Sequence, residues 1–75
     1  MIPYKNSHGN SGVSEYSIGI DFIKVKFKYS DKVYVYDHTA PGQGHVEEMK
    51  CLAEHGQGLA TYISQNVKKN YSDIE

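Results

Sequence analysis

The most regular pattern in the chain is an alternation of apolar and charged positions. Between Ile23 and Tyr29 four apolar residues alternate with three lysines. Successive side chains of a β-strand point to opposite faces, so this pattern puts the apolar residues on one face and the lysines on the other. The sequence Val33-Tyr34-Val35-Tyr36 follows after a short polar stretch and is again β-branched and aromatic. Together the two segments predict an antiparallel hairpin.

The loop length decides how the two strands of this hairpin pair. An even-length loop pairs Phe27 with Tyr34 and Val25 with Tyr36, so that both tyrosines lie on the apolar face. An odd-length loop would exchange the tyrosines with the valines on that face. The segment contains neither Asn-Gly nor Asp-Gly. Because these turn signals are absent, the odd-length register stays open, and we expect the even-length register as the simplest interpretation.

A shorter strand is predicted before the hairpin, from Tyr16 to Ile20, where apolar residues alternate with Ser17 and Gly19. It completes a three-stranded antiparallel meander, the smallest sheet with stability of its own. Residues 1–14 are rich in Asn, Ser and Gly, and we expect them to form a flexible arm. One small folded domain should then occupy residues 15–75.

Two helices are predicted after the strands. A Gly-rich loop from His38 to Gly44 leads to a helical pattern that begins at His45 and is followed by Gly56, a residue suited to end a helix. A second apolar stripe recurs every four residues from Leu59 to Tyr71. Strands followed by helices are typical of an α+β domain whose helices cover one face of an antiparallel sheet. The predicted core consists of Val25, Phe27, Tyr34, Tyr36, Leu59, Ile63 and Val67.

The strand pattern Ile23-x-Val25-x-Phe27, the pair Tyr34-x-Tyr36 and a later helix with Tyr62-Ile63 and Tyr71 resemble the KTSC domain family. That family is named after the C-terminal extension of some lysyl-tRNA synthetases and also occurs as small stand-alone bacterial proteins. The resemblance covers roughly residues 16–71, although the connection from 38 to 58 is longer and richer in glycine than usual. It implies an α+β fold with the tyrosine pair as a motif in the core. Members of that family have no established function, and RNA binding has been suggested for them because of the connection with the synthetase.

The basic residues are all lysines. A net charge of -1 and the absence of Arg argue against nucleic-acid binding through overall charge or bidentate base contacts. Lys24, Lys26 and Lys28, extended by Lys32, form a predicted lysine ridge with charges about 6.6–7 Å apart, comparable to the phosphates of an extended single strand. The ridge is either a surface for RNA or a solvated face that prevents aggregation. We favour the second interpretation, because a tyrosine pair in the core offers no stacking platform.

Histidine and cysteine residues invite a metal or a catalytic interpretation. Cys51 and His55 are four apart on a predicted helix, and His38 and His45 flank the preceding loop. Their spacing matches no standard zinc template, so we expect no metal and no cofactor. A catalytic thiol would also need an orienting third group and an oxyanion pocket, and a domain of this size has limited room for a cavity of about 300 Å³ or more. We expect no enzymatic activity.

A location and a function class follow from these patterns. A single cysteine cannot form an internal disulfide, and neither a signal peptide nor a run of about 18 apolar residues is present. We therefore expect a cytoplasmic protein without a membrane span. The favoured function is a non-catalytic module that binds another protein through its sheet edge or helix face. The alternative is a weak, non-specific RNA-binding module that uses the lysine ridge.

Overall fold

A computed structural model describes residues 1–5, 12–67 and 69–75. In this part of the chain, five strands and two helices form an α+β domain, which confirms the predicted class. The second helix passes directly into a π-helical segment, Ile63–Val67. In chain order the other elements are β1 (Ile2–Pro3), β2 (Val13–Ile18), β3 (Phe22–Phe27), β4 (Val33–Asp37), α1 (Gln43–His55), α2 (Leu59–Tyr62) and β5 (Asp73–Ile74).

The strands form one antiparallel sheet in the order β1-β2-β3-β4-β5. The prediction of three strands is therefore wrong in number, although β2, β3 and β4 form the expected meander. The two additional strands, β1 and β5, lie at the edges and are two residues long each. Two residues are too few to show an alternating pattern in the sequence. Each of these strands forms only by pairing with a longer neighbour.

The expected flexible arm at residues 1–14 contains parts of the sheet and the core. Ile2–Pro3 pairs with β2, and the side chains of Tyr4 and Val13 are buried. The Tyr4 ring meets the Tyr16 ring edge to face, with centroids 6.4 Å apart. The segment is polar in composition, and the burial of Tyr4 and Val13 depends on their contacts with other parts of the fold. The remainder of the expected arm, residues 6–11, lies outside the described residues.

The central hairpin pairs two residues away from the predicted register. Val25 lies opposite Tyr34, and Ile23 lies opposite Tyr36. Phe27, the last residue of β3, pairs with Val13 of β2 instead. The pairing of β3 with β4 therefore ends at Lys26 and Val33, and residues 27–32 lie between these two positions. A shift of two residues preserves the faces of the sheet, and both tyrosines lie on the apolar face as the even-length loop predicts.

The core fills the space between the helices and the apolar face of the sheet. Of the predicted core residues, Phe27 and Tyr34 are partly buried at its margin. The other five are buried: Val25, Tyr36, Leu59, Ile63 and Val67. Further buried members of the same cluster are Tyr4, Val13, Tyr16, Ile23, Val46, Met49 and Ala53.

The junction between α1 and α2 is packed against the N-terminal segment. Gly56 ends α1 as expected, in the left-handed conformation with φ 77°, and its N–H donates to the Leu52 carbonyl at 3.0 Å. A Cβ atom added at Gly56 would clash with the Lys5 side chain. Glycine is therefore required here for both its conformation and its small size. No helix within the described ranges is long and apolar enough to cross a membrane.

Candidate functional site

An open groove of about 370 Å³ lies between the sheet and the second helix. We call it the aromatic groove, because five of its ten described lining residues are aromatic. This volume is in the range of about 300–1,000 Å³ that is typical of ligand sites. The domain therefore has room for such a cavity, contrary to the expectation from its size. The lining residues are Gly12, Phe27, Tyr29, Tyr34, Tyr36, Ala60, Ile63, Ser64, Lys69 and Tyr71.

Five aromatic rings form one continuous surface in this groove. The ring of Tyr29 stacks on Phe27 with a centroid distance of 5.8 Å, and Phe27 meets Tyr34 edge to face at 5.6 Å. The ring of Tyr71 contacts two others edge to face, Tyr34 at 5.1 Å and Tyr36 at 6.4 Å. These distances lie within the favourable range for aromatic pairs, about 4.5–7 Å. The rings therefore support one another in fixed positions.

Strand β5 holds Tyr71 against the sheet. The N–H of Ser72 donates to the Val35 carbonyl at 2.7 Å, directly after Tyr71. Two further backbone bonds join Val33 and Glu75 in both directions, at 3.1 and 2.7 Å. These bonds fix the backbone on the C-terminal side of Tyr71, whose ring contacts Tyr34 and Tyr36 in the groove lining.

The electrostatic character of the groove is weakly positive. Among the described lining residues, Lys69 has the only charged side chain and no carboxylate is present. Burial, followed by the nearby Tyr34, Tyr71 and Tyr29, raises the pKa of Tyr36 to about 12. The Tyr36 hydroxyl thus keeps its proton at neutral pH. Tyr29 is 82% exposed, so that its ring presents apolar surface to water at the rim.

The predicted lysine ridge does not form one continuous row. Lys24 and Lys26 are half-buried on β3, on the sheet face opposite the helices, whereas Lys28 and Lys32 are in the connection to β4. Carboxylates accompany the two strand lysines. The Lys24 ammonium lies 3.0 Å from a Glu75 carboxylate oxygen, and Lys26 lies opposite Glu15 of β2 in the sheet register.

The tyrosine pair predicted to lie in the core has a second role. Tyr36 is buried and Tyr34 is half-buried, and both line the groove. Sequence reasoning did not connect them with Tyr29, Lys69 and Tyr71. A signal was present in the sequence, because Tyr29 continues the alternation of β3 and Tyr71 is the last residue of the four-residue apolar stripe that predicts the second helix. In the structure the helical segment ends earlier, at Val67. Both patterns carry tyrosine at their ends, where burial is incomplete.

The histidines and the cysteine are distributed over separate contacts. The described residues contain no group of three or more His, Cys, Asp or Glu side chains arranged to hold a metal. Cys51 is exposed. His45 Nδ1 lies 2.7 Å from the Tyr62 hydroxyl, and His38 Nε2 lies 3.5 Å from a Glu47 carboxylate oxygen. Each of these two histidines therefore has its own polar neighbour.

Comparisons of the chain with protein-family models, with curated proteins and with solved structures found no match. The resemblance to the KTSC family stays a prediction from the sequence.

Proposed function

We propose that this protein is a non-catalytic binding module whose aromatic groove receives a segment of another protein. The observation that carries the proposal is the continuous surface of five rings along an open groove of about 370 Å³. Aromatic side chains are enriched at protein interfaces and supply large contact areas there. Tyrosine in particular is frequent among the residues that dominate binding energy.

The chemical groups of the groove support binding over catalysis. Its polar lining in the described part of the chain consists of tyrosine hydroxyls, the Ser64 hydroxyl and the Lys69 ammonium. Nucleophilic catalysis requires a base within hydrogen-bond reach of the nucleophile, and general acid–base chemistry requires a group that titrates near neutral pH. Histidine, cysteine and carboxylate side chains are missing from the described lining.

The arrangement of charges supports a protein partner over RNA. Binding of a single strand combines phosphate contacts with base stacking along one surface. Here Lys24 and Lys26 lie on the sheet face opposite the helices, whereas the rings lie on the helix-facing side. Glu75 and Glu15 also reduce the positive potential around these lysines. A cytoplasmic location and membership of the KTSC family are parts of the same proposal.

Affinity purification from a cell lysate tests this function when it is combined with two matched variants. Tyr29→Ala removes an exposed ring of the groove, and Ile20→Ala removes a 94% exposed apolar side chain outside the groove lining. Neither side chain is buried, so both variants should keep the melting temperature of the wild type. Nuclease treatment is applied to half of each sample.

We expect defined protein partners that resist nuclease, are retained by Ile20→Ala and are lost from Tyr29→Ala. Partners that disappear after nuclease treatment would support the RNA-binding alternative instead. Equal retention of partners by both variants would show that the aromatic groove is not the binding site.

A further inference from the structure

We propose that the aromatic groove selects an acidic peptide segment, taking up one aromatic side chain and pairing a neighbouring carboxylate with Lys69. This inference rests on the proposed function and adds the chemical class of the ligand. Three features carry it: the geometry of the rings, the single positive charge of the described lining and the hydroxyl groups beside it.

The ring geometry suits an aromatic side chain. Phe27, Tyr34 and Tyr71 present edges and faces at fixed mutual distances of 5.6 and 5.1 Å. A further ring placed among them can form offset or edge-to-face contacts, which stabilise aromatic pairs beyond the effect of buried area alone. An aliphatic side chain of similar size would fill the same space without these contacts. The volume of about 370 Å³ also leaves room for residues that flank the inserted ring.

The sign of the charge determines which flanking residues fit. An aromatic surface alone attracts cations through the negative faces of its rings. Lys69 opposes that attraction, because a cationic ligand would meet a like charge in a lining without carboxylates among its described residues. Unlike Lys24 and Lys50, Lys69 forms no ion pair with a carboxylate of the described residues. A carboxylate of the ligand can therefore take this place.

The hydroxyl groups beside the rings favour the same ligand. Tyr36 keeps its proton at neutral pH and can donate a hydrogen bond to a carbonyl or carboxylate oxygen, and the Ser64 hydroxyl lies on the helix side of the groove. A backbone carbonyl of an extended peptide is a suitable acceptor. The groove thus combines apolar contact for one side chain with donors for the groups that surround it, as small-ligand and peptide sites commonly do.

The test is an NMR titration of isotope-labelled protein with three peptides of equal length. Their central residues are Glu-Phe-Glu, Lys-Phe-Lys and Glu-Leu-Glu, and a uridine decanucleotide is the fourth probe. We expect the Glu-Phe-Glu peptide to bind most tightly, with shifts at the amides of Ile63, Ser64 and Tyr71. Lys69→Gln should weaken this binding about two- to fivefold, the value of one exposed ion pair, whereas the control Lys26→Gln leaves it unchanged. Lys69→Glu should reverse the preference towards Lys-Phe-Lys.

Each contrary result is separable from failure of the proposed function. Equal or tighter binding of Lys-Phe-Lys or Glu-Leu-Glu at the same amides would overturn the ligand class and leave the groove as a peptide site. Tighter binding of the uridine decanucleotide at these amides would overturn the acidic peptide as the ligand. If no probe shifts these amides while Tyr29→Ala still loses its protein partners, the ligand class is wrong and the proposed function stands.

Discussion

The hydroxyl oxygen of Tyr4 lies 3.3 Å from the backbone nitrogen of Leu59 and accepts a hydrogen bond from it. Leu59 is the first residue of α2, where backbone N–H groups have no partner within the helix. The preceding residue, Gly58, has no side chain that could cap the helix. A residue near the N-terminus therefore caps a helix that follows it by more than fifty positions in the sequence.

Replacing Tyr4 by Phe should lower the free energy of unfolding by about 1–3 kcal/mol, because a buried N–H would lose its acceptor. Urea denaturation measures this change. Tyr29→Phe is the matched control, since it removes the hydroxyl of a residue that is 82% exposed. Equal stability of the two variants would contradict a capping role for Tyr4.

Gly56→Ala and Gly44→Ala should change stability in opposite directions. At Gly56 alanine would need the left-handed conformation, at a cost of about 1–2 kcal/mol, and would also clash with Lys5. At Gly44, within α1, the added methyl group meets nothing within 4 Å. Alanine there should stabilise the protein by about 0.4–1 kcal/mol, chiefly by restricting the unfolded chain. Thermal melting of both variants tests the contrast, and a lower melting temperature at both positions would contradict it.

Stability should decrease between about pH 10 and pH 12 through Tyr36, whose pKa burial raises to about 12. Below pH 10 the hydroxyl is protonated in both states and contributes no pH dependence. Above pH 10 the unfolded state loses this proton before the folded state does, so unfolding becomes more favourable. The decrease should reach about 1–2 kcal/mol after allowance for solvent screening.

Tyr36→Phe isolates the contribution of that hydroxyl. Urea denaturation at a series of alkaline pH values should give a flatter decline for this variant than for the wild type. Tyr29→Phe serves again as the control for the other tyrosines. Identical slopes for Tyr36→Phe and the wild type would show that the folded state does not raise the pKa of Tyr36.

Changing Lys24, Lys26 and Lys28 together to Gln should leave both the fold and the binding of a protein partner intact. The ion pair between Lys24 and Glu75 is partly exposed, and its removal should cost about 0.2–1 kcal/mol. Disappearance of a nuclease-sensitive partner in the triple variant would instead support RNA binding by the lysine ridge. In that case the slope of log affinity against log salt should also become shallower, by about 0.7 for each phosphate that the variant no longer binds.

The sequence predicts those parts of the fold in which a pattern repeats. The alternation around Val25 and the four-residue stripe from Leu59 identify the faces that pack together, because each repeats over several turns or residues. The predicted register of the hairpin between β3 and β4 is wrong by two residues. A shift by two residues leaves the alternating pattern unchanged, so the pattern alone cannot identify the register. Gly56 ends α1 as expected because its left-handed conformation is a local requirement.

The sequence predicts neither the two edge strands of the sheet nor the aromatic groove. The physical reason is the same for both. Ile2–Pro3 and Asp73–Ile74 become strands only by pairing with β2 and β4. The groove depends on contacts of Tyr71 with Tyr34 across distant segments of the chain. Such long-range pairings have no local periodicity. The aromatic residues on one face of the sheet were visible in the sequence, but their incomplete burial was not.

The two edge strands determine how the domain would respond to a mechanical load between residues 1 and 75. β1 and β5 form opposite edges of the sheet, and each pairs with its neighbour through two residues. Tension would act first on these short strands, while the longer pairings of β2, β3 and β4 remain intact. Detaching β5 would release Tyr71 from Tyr34, and detaching β1 would draw Tyr4 away from Leu59. The aromatic groove would therefore lose the ring of Tyr71 from its lining before the central sheet unfolds.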